Sequence, residues 1–221
     1  MVNPPNINSN MIITGHSDYP ILDHHVDHFN PMVWWGVNKM TNKPNVFTIP
    51  LGITNDTDES PVHRIFGNTD CMIQVMNENV EIKNLVYMNI NIGTYPQERQ
   101  LVWDLFKDKS WITVGNIEIS IEGRTKFLRN IKEHVFVLCP RGNGLDTHRL
   151  WETLYMNRIP IVRRDIGYKE FEDLPICFIN DWNEINETFL INEMTRITSK
   201  SWNLDKLKMS YWVDRIKQSI I

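Results

Sequence analysis

Phosphate-binding residue types are concentrated between Phe136 and Asp165, in the stretch FVLCPRGNGLDTHRLWETLYMNRIPIVRRD. Arg141 and Arg149 carry guanidinium groups, which can donate forked, charge-assisted hydrogen bonds to phosphate oxygens. Gly142 and Gly144 allow the backbone to approach a ligand closely, because they lack a side chain. These residue types therefore predict a site for a phosphate group.

A helix is predicted to begin directly after this loop. Asp146 or Thr147 can serve as its N-cap, and Asn143 and His148 flank them in the sequence. Unpaired amide groups and the helix dipole favour an anion at such a point. Asn143, Thr147 and His148 are therefore further candidate ligand-binding residues.

Glu152 indicates what would lie beside the phosphate. It follows Arg149 by three residues, about one turn further along the same helix. A carboxylate does not suit a phosphate, but it suits a pair of hydroxyl groups such as those of a ribose, as in dinucleotide sites. A phosphate followed by a ribose describes a nucleotide.

A simpler interpretation of the same residues is open. RGNG can form a tight turn, and Arg149 can form a surface ion pair with Glu152. The stretch has neither the GxGxxG spacing of dinucleotide sites nor the Gly-Lys-Ser/Thr of a P-loop.

The elements that would position this loop alternate between strand and helix from about Lys83 onward. The strand-like runs are NLVYMNI, WITVG, VFVLCP, IPIVR and ICFIN, and amphipathic helical runs lie between them. This alternation predicts an α/β fold, a Rossmann-like doubly wound parallel sheet. Ligands bind such sheets outside the carboxyl ends of the strands, which is where residues 140–145 are expected.

The N-terminal part is shorter and less regular. MIIT and the run from Val46 to Ile53 are strand-like, and the polar, proline-ended TNDTDESP indicates a loop or linker. We expect residues 1–80 to form a reduced N-terminal half and residues 81–221 to form the ligand-binding domain. The last amphipathic helix is expected to pack back on the N-terminal half.

CPRGNGLDTHRLWETLYMNRIPIV, residues 139–162, strongly resembles the motif of exostosin-like glycosyltransferases. In that motif a Pro-Arg-Gly loop leads into a helix bearing Arg-x-Trp-Glu, and a strand beginning Ile-Pro-Ile-Val follows. VYMNINIGTYPQERQLV is a weaker match, and TGHSDYPI and VFTIPLGI resemble the N-terminal half of related viral and bacterial enzymes. Cys139 stands where a Ser is commoner in the family.

The resemblance implies a GT-B-like arrangement, in which a C-terminal half binds a sugar-nucleotide donor and an N-terminal half binds an acceptor. The N-terminal half would be reduced here, because residues 1–80 are too few for a full Rossmann domain. The implied activity is an inverting, metal-independent transfer of sugar from a UDP-sugar to a hydroxyl of a glycan or glycoprotein. UDP-xylose, UDP-glucuronate and UDP-galactose are the implied donors, and no cofactor is implied.

The resemblance also assigns roles to individual residues. Arg99 fits the family's second basic residue facing the donor phosphates. Inversion needs one general base, and Asp18, in GHSDYP, is the candidate from the N-terminal half. His16 is the second candidate, because an imidazole titrates near neutral pH. Asp18 and Ser17 can equally cap a turn.

Two short runs contain metal-binding residue types. DTD, Asp56 to Asp58, matches the Asp-x-Asp sequence of the metal-binding motif in other glycosyltransferases, but it lies in the polar linker. DHHVDH places His24 and His28 one helical turn apart, which suits zinc, although a solvated helix start has the same pattern. We expect no metal site.

The eight tryptophans indicate a substantial core. Trp151 is expected in that core. Trp34 and Trp35 either stack on an acceptor sugar or pack in the interior.

Composition excludes several classes of partner. A net charge of −4 gives no reason to expect nucleic acid or an anionic membrane. No run reaches the ~20 apolar residues of a membrane span, and no signal peptide is visible, so a cytoplasmic protein is expected. The three cysteines are expected to be buried free thiols. The high Asn and Ile usage fits a large DNA virus or a microbe, and a viral member would act in the host cytoplasm.

Two other functions compete with glycosyl transfer. A non-catalytic sugar-nucleotide or glycan-binding module would keep the Arg141 to Gly144 loop while Asp18 served only the structure. A zinc-binding interaction protein would instead use the histidine run.

Overall fold

The computed structural model of the protein describes residues 11–15, 17–55 and 60–219. Within these residues the strands form two parallel sheets, one of three strands and one of five. The prediction of an α/β fold with parallel strands is confirmed.

The three-stranded N-terminal sheet has the order β1–β2–β3. Its strands are β1 Met11–Thr14, β2 Val33–Gly36 and β3 Val46–Thr48. Trp34 and Trp35 lie in the central strand and are buried, with 6% and 1% of their surface exposed. The strand-like run that begins at Val46 is thus a strand only to Thr48.

The five-stranded C-terminal sheet has the order β5–β4–β6–β7–β8. Its strands, in chain order, are β4 Asn84–Met88, β5 Ile112–Val114, β6 His134–Leu138, β7 Ile159–Arg163 and β8 Cys177–Ile179. Alternate residues of these strands contribute to two separate apolar clusters, so both faces of the sheet are covered.

Helices connect and cover the strands. They are α1 Asp23–Phe29, α2 Pro61–Phe66, α3 Thr69–Asn77, α4 Pro96–Phe106, α5 Ile121–Lys132, α6 His148–Tyr155, α7 Glu187–Thr198 and α8 Met209–Gln218. Within the described chain, no helix combines the length and the apolar character that crossing a bilayer requires.

The strand order reverses between β4 and β6. The chain leaves β4 toward β5 on one side and returns through α5 to β6 on the other side. Loops from neighbouring strands diverge at such a switch point and leave a crevice at their carboxyl ends. Residues 139–147, called the β6–α6 loop below, lie at this crevice.

The N-terminal sheet contacts the C-terminal elements directly. The Thr48 amide donates to Glu170 at 3.0 Å, and the Trp35 indole donates to the Ser219 hydroxyl, just after α8, at 2.9 Å. The three cysteines are free and buried, as predicted.

Candidate functional site

A cavity of about 650 Å³ opens at the carboxyl ends of β4 and β6. This volume is in the range of small-molecule sites. Its walls come from the β6–α6 loop, the first turns of α5 and α6, α2, and the segments that follow β1 and β3. Most of the residues predicted to bind a donor line it: Arg99, Gly142, Asn143, Gly144, Thr147, His148, Arg149 and Glu152.

Arg99 lies on α4 and is only 6% exposed. Its Nε donates to the carbonyl of Arg141 at 2.8 Å, and its Nη1 donates to the carbonyl of Asn91 at 2.9 Å. These bonds join the loop after β4 to the loop after β6. Burial, together with the charge of Arg149, lowers the pKa of Arg99 to about 10, so the group is still a cation at neutral pH.

The first turn of α6 presents donors without partners. Thr147 is the N-cap, but its side chain makes no capping bond. Within the described residues, its Oγ1 and the Nε of Arg149 are buried and unpaired. Leaving buried polar groups unpaired costs free energy, and an anionic ligand at this point would supply the missing partner.

Arg141 takes a different position from the one predicted. Its guanidinium lies 4.4 Å from the ring centroid of Tyr95, and its Nη2 donates to the carbonyl of Asn143 at 3.0 Å. It is not among the residues that line the cavity. The aromatic face and the loop carbonyls satisfy this side chain outside the cavity.

Glu152 is held by an arginine that the sequence analysis did not select. Its carboxylate lies 2.7 Å from Nη1 of Arg124 on α5, and both side chains are almost completely buried. Both residues line the cavity. Arg124 also lies 5.7 Å from the ring of Phe127. The carboxylate is therefore fixed in orientation beside the first turn of α6.

Asp146 fastens the loop to the N-terminal sheet. Its Oδ2 accepts the amide of Leu51 at 2.8 Å, and both carboxylate oxygens accept the Trp151 indole at 2.9 Å. Its own amide donates to Oδ1 of Asn38 at 2.8 Å. Burial raises the pKa of Asp146 to about 6, despite these donated hydrogen bonds. Trp151 is a core residue, as expected, with 1% exposure.

Asp18 lines the cavity and lies against the β6–α6 loop. A Cβ added to Gly144 would be 3.2 Å from Oδ1 of Asp18 and 2.7 Å from Nδ2 of Asn38. Asn38 also donates to the carbonyl of Ser17 at 2.7 Å, so it holds the Asp18 segment against the loop. His16 lies outside the described residues.

His148 ties α6 to the segment after β3. Its Nδ1 donates to the carbonyl of Gly52 at 2.8 Å, and Gly52 has a φ of 70°. A glycine accommodates this left-handed backbone conformation without strain.

Arg124 and Asn38 are the main site residues that the sequence analysis missed. A signal for Arg124 is present in the sequence. It occupies the first position of the apolar stripe of α5, followed by Phe127, Leu128 and Ile131, where a charged residue requires a buried partner. Asn38 gave no comparable signal, because its partners are distant in sequence.

The two runs with metal-binding residue types differ in what the structure shows. His24 and His28 lie on the exposed surface of α1. Within the described residues, no three His, Cys, Asp or Glu side chains are grouped to hold a metal ion. The DTD run, Asp56 to Asp58, lies outside those residues.

No family model matches the chain, and no curated protein matches it. The resemblance to exostosin-like enzymes therefore stays a prediction.

Proposed function

We propose that the protein is a glycosyltransferase that binds a UDP-sugar in this cavity. One observation carries the proposal. Arg99 and Arg149 line the same cavity beside a helix N-terminus, where the Thr147 hydroxyl and the Nε of Arg149 are buried without a partner among the described residues. A diphosphate would offset the repulsion between the two cations and pair the free donors. The same groups would stabilise the diphosphate as it leaves.

The remaining contacts support a nucleotide sugar over a simple phosphate. Glu152 is fixed by Arg124 one turn along α6, where a carboxylate can accept the two ribose hydroxyls. Segments that follow strands β1 and β3 of the N-terminal sheet line the same cavity, which supports a GT-B-like arrangement with a reduced N-terminal half. UDP-xylose, UDP-glucuronate and UDP-galactose are the first donors to test, with a glycan or glycoprotein hydroxyl as acceptor.

Asp18 is the proposed general base. It comes from the N-terminal side, lines the cavity and lies against Gly144, so it can face an acceptor hydroxyl while the diphosphate lies against α6. Attack from that side inverts the anomeric centre and needs a single base. His16 is the second candidate.

A turnover assay tests the proposal. Hydrolysis and transfer are measured across a panel of UDP-sugars for the wild type, Asp18→Asn and Asp108→Asn. Asp108 is an exposed acid that does not line the cavity. We expect Asp18→Asn to lower turnover by ~10²-fold or more while UDP binding persists, and Asp108→Asn to have no effect.

Two results would contradict parts of this proposal. Full turnover in Asp18→Asn would exclude this residue as the base and favour His16. Binding of UDP-sugars without any turnover in the wild type would favour the competing function, a non-catalytic sugar-nucleotide-binding module.

Metal removal provides a separate prediction. Since arginines and a helix N-terminus are proposed to neutralise the diphosphate, turnover should persist in EDTA. Loss of turnover on chelation, with recovery on addition of manganese, would show that a cation performs this task.

A further inference from the structure

We propose that Glu98 on α4 is a positioning residue for the proposed diphosphate site. Glu98 is not among the residues that line the cavity, so it acts on a ligand only through other groups of the protein. The inference rests on the proposed function, because it concerns the same site. It adds a residue that neither the sequence motif nor the cavity lining selects.

Glu98 is a buried carboxylate, with 6% of its surface exposed. A buried carboxylate costs free energy unless it is paired with a cation and hydrogen-bonded. Its two oxygens have different partners, which come from the ends of the neighbouring strands β6 and β7. The geometry of each contact shows which oxygen holds the β6–α6 loop.

The first oxygen, Oε1, accepts the amide of Arg141 at 3.3 Å. Arg99, the next residue on α4, donates from Nε to the carbonyl of Arg141 at 2.8 Å. Two adjacent side chains of one helix therefore bind both main-chain polar groups of one loop residue. A single hydrogen bond would let the chain turn about it, whereas two bonds on either side of one Cα fix the direction in which the loop leaves the strand.

The second oxygen, Oε2, lies 2.9 Å from Nη2 of Arg163, but it has no partner with the geometry of a hydrogen bond among the described residues. The Arg163 side chain is 49% exposed, so water can also solvate it. The contact therefore neutralises the charge of Glu98 without fixing its orientation. We assign the positioning to the Oε1 contact and not to the ion pair.

The hold on Arg141 matters to a ligand because Arg99 shares it. Arg99 lines the cavity, and its Nε and Nη1 donate to the carbonyls of Arg141 and Asn91. Within the described residues, its Nη2 donates to no protein group and is not buried without a partner. This Nη2 lies beside Gly142, where an added Cβ would be 3.4 Å from it.

The Nη2 of Arg99 is thus the donor that remains for a phosphate oxygen, and its direction follows the position of the Arg141 carbonyl. A charge-assisted hydrogen bond weakens when its donor and acceptor are misaligned. A shift of the Arg141 main chain would therefore weaken ligand binding, although every residue that lines the cavity is still present.

Calorimetric titration of the full chain with UDP, with thermal denaturation of each variant, tests the inference. Glu98→Gln keeps the length of the side chain and an acceptor oxygen but loses the charge, so UDP affinity should stay near the wild-type value. Glu98→Asp keeps the charge but withdraws the acceptor from the Arg141 amide. Its UDP affinity should fall roughly tenfold, the equivalent of one charge-assisted hydrogen bond.

Glu170→Asp is the matched control. Glu170 also accepts the amide of a distant residue, Thr48, at 3.0 Å and lies 3.8 Å from a cation, Lys39. It is not among the residues that line the cavity. Shortening it should lower the Tm but leave UDP affinity unchanged.

Two results would overturn the inference alone. Wild-type UDP affinity in Glu98→Asp would show that the contact with Arg141 does not affect the ligand. A loss in Glu98→Gln as large as that expected for Glu98→Asp would show that Glu98 acts through its charge, and this variant decides the question should Glu98→Asp fail to fold. Failure of UDP to bind the wild type would instead overturn the proposed function.

Discussion

At the scale of single residues, the buried arginines of the cavity differ in how far other protein groups neutralise or hydrogen-bond them. Arg99 is satisfied by two loop carbonyls, and Arg124 by Glu152. The Nε atoms of Arg124 and Arg149 are both buried without a hydrogen-bond partner among the described residues. Arg149 differs because, within those residues, it forms no ion pair like the one between Arg124 and Glu152. A ligand that supplies negative charge should therefore interact most strongly with Arg149.

Glu152→Gln should reduce stability as well as ligand affinity. The substitution leaves the buried Arg124 without a counter-charge, which typically costs about 3 kcal/mol and lowers the Tm by roughly 6–12 °C in a chain of this size. Thermal denaturation measures the effect. Glu118→Gln is the control, because this cavity carboxylate is exposed and its loss should change the Tm little. Equal Tm values for the two variants would show that the Arg124–Glu152 pair contributes nothing to folding.

Asp146 should make stability depend on pH in a predictable direction. Its pKa is raised by burial from 3.8 to about 6, so the folded state holds the proton where the unfolded state has released it. The contribution of this carboxyl to the free energy of unfolding therefore falls as pH rises from about 4 to 6, by at most about 3 kcal/mol. Asp146→Asn cannot titrate, so the stability of the wild type relative to this variant should fall across the same window. A difference that stays constant from pH 4 to 7 would contradict the raised pKa.

The β6–α6 loop is the element that joins the two sides of the cavity. Gly144 allows close approach of the segments after β1 and β2, because an added Cβ would be 3.2 Å from Oδ1 of Asp18 and 2.7 Å from Nδ2 of Asn38. Gly142 has more room, since the nearest atom to its added Cβ is Nη2 of Arg99 at 3.4 Å. The two glycines of the sequence motif therefore differ in how much space they have.

Gly144→Ala should separate the loop from Asp18, whereas Gly142→Ala should be tolerated. Overpacking at Gly144 is expected to cost about 1–3 kcal/mol and to lower turnover, because the base moves away from the donor. Gly142→Ala should keep both the Tm and the turnover near wild-type values. The two variants can be compared by thermal denaturation and by the UDP-sugar assay. Equal Tm values and equal turnover for the two variants would show that the close approach at Gly144 affects neither stability nor activity.

The elements of the C-terminal sheet were predictable because their signals are local. Strand-like runs and helical spacing correctly predicted β4 to β8 and the helices α4, α5 and α6, within a few residues at each end. The rule for parallel sheets predicted a ligand site at the end of β6, and the cavity lies there. The direction of the Arg141 side chain did not follow, since it depends on Tyr95, 46 positions earlier in the chain.

The N-terminal elements were harder to predict. The β2 strand, with Trp34 and Trp35, is four residues long, too short to show a period. The helices α2 and α3 were missed because they follow a polar, proline-containing segment that suggested only a linker. Short elements of this kind depend on tertiary packing more than on local preference.

At the scale of the whole molecule, Asn38 links the two sheets around the cavity. It accepts the Asp146 amide from one side and donates to the Ser17 carbonyl on the other. Its φ of 55° is left-handed, a conformation that asparagine and glycine adopt most readily. A glycine at this position should thus keep the backbone and remove only the two side-chain bonds.

Asn38→Gly should lower the free energy of unfolding by about 1–3 kcal/mol, the cost of unpaired buried groups, and should reduce turnover with it. Asn157→Gly is the matched control, because Asn157 has a φ of 56° and is exposed. It should change stability by less than about 0.5 kcal/mol. Chemical denaturation of both variants measures the difference. A neutral Asn38→Gly would contradict the proposed link between the sheets.

The central claim is that the cavity binds the diphosphate of a UDP-sugar through Arg149, and titration with UDP tests it most directly. We expect wild-type binding, a loss of roughly ten- to a hundredfold in Arg149→Ala, and a much smaller loss in Arg141→Ala, because that guanidinium lies over Tyr95 outside the cavity. Failure of UDP to bind the wild type at millimolar concentration, or unchanged affinity in a folded Arg149→Ala variant, would contradict the claim.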